Sequence, residues 1–181
     1  MNEATTHPGS PAFRFDPRLA AGMLVILALA GVGLWFLFRH LASLDNSPEE
    51  HQRIGTPLFA GAVACFVGCV TAAKLSLPVS KAALVLAALA VVCWIAPTPF
   101  GITRLLSYGC IGVLIARHLV VAIASCRCVP ASDVAADPAT QRRAREKRRA
   151  AWFSVFGAIT GGASLFMLIK ADALGWAAAI D

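Results

Sequence analysis

Five apolar runs, separated by short polar stretches, set the pattern of this 181-residue chain. They predict helices over approximately 19–42, 57–77, 81–96, 101–125 and 138–170. A helix needs roughly 20 predominantly apolar residues to cross a hydrocarbon layer about 30 Å thick, and four of the runs meet that length while the third is shorter. None has the strict alternation of a half-buried strand. The expected fold class is all-α, a multi-pass transmembrane helical bundle of five membrane-spanning helices. It occupies 18–181 as one domain behind a disordered N-terminal tail, 1–17, rich in Thr, Pro and Gly.

Breakers mark the joints. Asp45 to Thr56 reads as a polar loop, with Pro57 in the first turn of the second helix. Leu77-Pro78-Val79-Ser80 forms a turn, and Pro97-Thr98-Pro99 ends the third helix, because proline lacks an amide donor and disfavours helix in the residue before it. Cys126 to Ala136 reads as a loop. Asp137-Pro138 supplies an N-cap and a first-turn proline for the fifth helix, which runs unbroken from a basic stretch into the apolar segment Trp152–Ile169. Beyond Lys170 and Asp172 the chain reads as a short interfacial end with Trp176 at headgroup level. The first apolar run exceeds the ~7–15 residues of a signal-peptide core and is followed by Arg39-His40 rather than small residues, so it reads as an uncleaved anchor.

Charge orients this frame. Only 14% of the residues are charged, against about 25% in soluble domains, while 58% are hydrophobic. Five crossings with a cytoplasmic amino terminus place Arg14, Arg18, Lys74, Lys81, Arg127 and the basic run inside. Arg39, Arg53, Arg104 and Lys170 then lie outside, together with the carboxyl terminus. This asymmetry follows the positive-inside rule. The basic run, Arg142, Arg143, Arg145, Lys147, Arg148 and Arg149, abuts a membrane segment and is expected to meet anionic lipid headgroups. It has no aromatic interleaving and no nucleic-acid module, which disfavours nucleic acid as a partner. The composition, rich in alanine and arginine, points to a bacterial inner (plasma) membrane.

Small residues give the helices close-packing surfaces. Ser154, Gly157, Gly161 and Ser164 form a stripe on the fifth helix that contains a GxxxG, and Ala60, Ala64 and Gly68 recur at every fourth position on the second. Such stripes let helix backbones approach closely. They serve packing within the chain, contact with another membrane subunit, or self-association.

Candidate chemistry is sparse. Cys65 and Cys69 share a helical face, but two thiols fall short of the four ligands of a closed metal site. Cys126 and Cys128, at a helix end, are possible acylation sites. Arg117-His118 is the one ionisable pair inside an apolar run. Arg117 is expected to snorkel to the inner headgroups; a shifted helix would make the pair an intramembrane functional site. His40 and His118 approach opposite faces, so one haem cannot be held by both. Ser107, Tyr108 and Thr103 lie near Arg104 without a base beside them. There is no GxSxG, HExxH or P-loop and no paired intramembrane carboxylates, so no catalytic residue, metal or cofactor is assigned. The expected function is a non-catalytic accessory or assembly subunit of a larger membrane complex. A small oligomeric transporter or channel is the alternative, with a membrane enzyme or redox carrier behind it.

Overall fold

A computed structural model of the protein describes residues 13–42, 48–76, 81–95, 102–130 and 137–173. The elements are β1 (Phe13–Phe15), α1 (Pro17–Ala42), α2 (Pro48–Leu75), α3 (Lys81–Ile95), α4 (Ile102–Ser125), β2 (Arg127–Pro130) and α5 (Pro138–Ala173). Among the described residues, four helices, α1, α2, α4 and α5, are long and apolar enough to cross a membrane, and α3 is a shorter apolar helix. The turns expected around Pro78 and Pro97–Pro99, and the end carrying Trp176, lie outside the described residues.

The bundle is built round α5. It packs against α2 most extensively, then α4 and α1, while α3 lies against α4 and touches α2 lightly. Three apolar clusters stack along the bundle. At the basic end of α5, Leu19, Met23, Ala122, Cys126, Ala151 and Val155 join α1, α4 and α5. Cys69, Ala73, Ala83, Ala87 and Leu114 join α2, α3 and α4 in the middle. Ala62, Ala90, Ile111 and Leu168 close the far half. Many of these contacts use alanine, glycine or cysteine, so helix axes approach closely and dispersion contact replaces the hydrophobic drive that lipid does not supply.

Three boundaries depart from expectation. α2 begins at Pro48, and Pro57 sits inside it. Pro48 suits a first helical turn as well as Pro57 does, and the straight-chain residues Glu49, Glu50, Gln52 and Arg53 between them are good helix formers. α5 runs three residues further than expected, to Ala173. The third difference is a two-stranded antiparallel ribbon where a disordered tail and a loop are expected. Phe13 pairs with Pro130, Arg14 with Val129 and Phe15 with Arg127, leaving Cys128 as the extra residue of a bulge. Asp16 locks the ribbon to α1: its amide donates to the Cys126 carbonyl (2.9 Å), and its carboxylate Oδ1 accepts from the amides of Arg18 and Leu19 at 3.1 Å each. That is an N-cap, which satisfies donors a helix start leaves open.

Candidate functional site

The Arg117-His118 pair lies where α2, α4 and α5 meet. His118 is 0% exposed. Its Nε2 lies 3.2 Å from the carbonyl oxygen of Cys69 on α2; since a carbonyl only accepts, Nε2 carries the hydrogen, and in the neutral imidazole Nδ1 is then an acceptor. The imidazole presses on α5 at Gly157. A β-carbon built there would fall 2.6 Å from Nε2 and 2.7 Å from Nδ1, so only glycine admits the ring. One turn along, a β-carbon at Gly161 would meet Ile115 Cγ1 at 2.8 Å and the Cys69 sulfur at 3.1 Å. The GxxxG of α5 is thus seated against α4 and α2 of the same chain.

The rest of the small-residue stripe follows. The Ser164 hydroxyl donates to the Ala62 carbonyl across the α2–α5 interface (2.9 Å). Ser154 is fully buried, and its hydroxyl has no partner. On α2, Gly68 faces Thr160 and Gly61 faces Met167, but Ala60 and Ala64 are exposed. Their exposure within this chain has a geometric cause. At 3.6 residues per turn a fourth-residue stripe drifts about 40° per step, so one that meets α5 at Gly68 has rotated out of the interface by Ala64 and Ala60.

Among the described residues, Ser76 Oγ, Ser154 Oγ, His118 Nδ1 and Arg117 Nη1 are buried side-chain atoms that lack a hydrogen-bond partner. Arg117 is partly exposed, yet this arm of its guanidinium is covered. Full snorkelling, with every donor in water or headgroups, does not describe it. Leaving a buried donor or acceptor unmet costs about 1–3 kcal/mol, more for a charged group.

The basic run divides by role. Lys147 donates to the Arg127 carbonyl (3.2 Å) and lies 3.8 Å above the Phe13 ring. Arg148 pairs with Asp16 at 3.3 Å. These two bind the ribbon. Arg142, Arg143, Arg145 and Arg149 are exposed, with Arg142 also pairing with Glu146 at 3.2 Å. Beneath the ribbon, Cys126 is 1% and Cys128 0% exposed, which removes both as ready acylation sites. Burial, and then nearby Cys128 and Asp16, push the Cys126 thiol up.

At the far end α5 brings Asp172 to α4. Its carboxylate pairs with Arg104 at 3.2 Å and accepts from the Tyr108 hydroxyl. Asp172 is thus the acid that the sequence left away from Arg104 and Tyr108; only the crossing of α4 and α5 unites them. Nearby Ser107 donates to the Ala90 carbonyl (2.8 Å). An apolar pocket of about 230 Å³ lies between α2, α3, α4 and α5, lined by Phe59, Phe66, Trp94, Ile111 and Leu168 among others. Of these, Phe59 and Trp94 stack with ring centroids 4.6 Å apart. Among the described residues no three His, Cys, Asp or Glu side chains gather in a metal-binding group. Comparison with protein-family models, with curated proteins and with solved structures finds no match.

Proposed function

We propose that this chain is a non-catalytic integral protein of a bacterial inner membrane, acting as an accessory or assembly subunit of a larger membrane complex. The observation that carries this reading is α1. It meets α5 along a narrow seam that includes Leu19, Met23 and Leu27, and leaves Leu24, Val25, Leu29, Val32, Trp35 and Phe36 exposed. Gly31 and Gly33, both exposed and on nearly opposite faces of α1, have nothing within 4 Å of where a β-carbon would stand. A helix from another subunit could come to backbone contact there.

Five crossings with a cytoplasmic amino terminus and an outside carboxyl terminus complete the proposal. In its support, α3 runs antiparallel to α2, sharing one cluster at Ala73 and Ala83 and another at Ala62 and Ala90. Its 15 residues reach about 22 Å, most of a hydrocarbon layer. The 36 residues of α5 reach about 54 Å, which exceeds a bilayer core and lets Arg142, Arg143, Arg145 and Arg149 stand among inner-leaflet headgroups.

Photoreactive side chains placed at Leu29, Gly31 and Gly33 in native membranes test the subunit reading. Cross-links to another membrane protein are expected, and exclusive capture of lipid at all three positions contradicts it. A second reading, a small oligomeric transporter, is favoured by the unmet polar atoms at the α2–α4–α5 junction. Under it, Arg117→Leu abolishes flux; flux unaltered by that change removes Arg117 from any substrate path.

A further inference from the structure

Four hydroxyls in these helices find backbone carbonyls. Thr71 donates to Val67 (2.8 Å), Thr160 to Phe156 (2.9 Å), Ser107 to Ala90 (2.8 Å) and Ser164 to Ala62 (2.9 Å). Ser76 and Ser154, both 0% exposed, do not. Their places in the fold coincide. α2 and α5 run antiparallel with Cys69 opposite Gly161. Seven residues, close to two turns, carry each helix on to Ser76 and back to Ser154, at one level. Ser154 lies one turn from Gly157, on which the His118 ring rests. Arg117 precedes His118 on α4, and one arm of its guanidinium is buried. No Asp or Glu occurs between Arg53 and Pro130, or between Ala150 and Ala171, to neutralise it.

The unmet groups form a chemical inventory. Arg117 Nη1 offers two N–H donors and a positive charge, the two serines offer hydroxyl donors, and His118 Nδ1 is an acceptor. Charge-assisted bonds from a guanidinium to an oxyanion are the strongest available to such a set. A halide would satisfy the donors and leave Nδ1 unmet, and a phosphodiester headgroup has no O–H to give it. An oxyanion that keeps one hydroxyl satisfies all four.

We propose that the α2–α4–α5 junction binds a small hydroxyl-bearing oxyanion, of the hydrogen-phosphate or bicarbonate class. Its oxygens accept from Arg117, Ser76 and Ser154, and its O–H donates to His118 Nδ1. The site does not depend on α1 or its partner, so failure of the subunit reading leaves it standing.

The test uses the full-length protein in phosphatidylcholine nanodiscs, with thermal unfolding followed while inorganic phosphate, bicarbonate or chloride is titrated at constant ionic strength. Phosphate or bicarbonate raises Tm saturably, as a ligand of the native state must, and chloride does not. Arg117→Gln abolishes the rise. Ser154→Ala and Ser76→Ala, which remove an unmet hydroxyl, are at least as stable as the parent without anion but bind phosphate at least fivefold more weakly. Arg142→Gln, out on the basic run, leaves the response unchanged. A rise seen only when phosphatidic acid is added to the discs, and lost in Ser154→Ala, keeps the same chemistry with a lipid phosphomonoester as its source. No anion-dependent rise, an equal rise with chloride, or an unchanged response in both serine variants overturns the proposal.

Discussion

Gly157 and His118 hold the bundle's most demanding contact, since the imidazole occupies the space a β-carbon would need. Gly157→Ala must displace the ring or separate α5 from α4. Overpacking of this kind costs about 1–3 kcal/mol, here with loss of the His118–Cys69 bond. Thermal unfolding of Gly157→Ala, His118→Ala and the double variant checks this. The alanine at 157 should be much less damaging once the ring is gone, giving a non-additive cycle; additive losses would place the ring elsewhere. Both residues were legible in the sequence, Gly157 as part of a GxxxG and His118 as an ionisable group in an apolar run. That they touch was not legible, because helical periodicity gives a face and never the neighbour. The same limit hid Asp172 from Tyr108 and Arg104.

Among the elements, the ribbon and its Asp16 anchor were the least visible. Three residues, Phe13-Arg14-Phe15, carry too little alternation to declare a strand, and their partner lies more than a hundred residues away. Asp16 caps α1, holds Arg148 and covers the two cysteines, with Cys128 Sγ 3.9 Å from its Oδ2. Asp16→Ala is expected to cost about 1–2 kcal/mol, mostly from the cap, because the half-exposed Arg148 pair adds well under 1 kcal/mol. It also opens a route to the thiols. In the parent, the raised Cys126 thiol becomes thiolate only at higher pH than an exposed thiol, with pKa about 8.5, does. Alkylation of Cys126 therefore stays slow at pH 8 and gains rate only at higher pH. In Asp16→Ala the rate at pH 8 rises, as mass spectrometry of the modified peptide would show; fast labelling of the parent contradicts the buried ribbon.

For the whole molecule, the apolar pattern conveyed the class and the number of helices, since long apolar runs admit few other structures. It also singled out the stretch that became α5. What it withheld was the arrangement round that helix: which stripe meets which, and whether the match is made within one chain. Ala60 and Ala64 looked equivalent to Gly68, and only the rotation of α2 separates them. The central claim is that the small-residue face of α5 is occupied by α2 and α4 of its own chain. Gly68 and Thr160 test it most directly, because a β-carbon at Gly68 would lie 3.6 Å from that of Thr160, within the span a disulfide needs. In a variant with the six native cysteines replaced, Gly68→Cys with Thr160→Cys should oxidise in native membranes to an internally bridged monomer of shifted mobility. Bridged dimers without that monomer, or two thiols that never couple, would contradict the packing described.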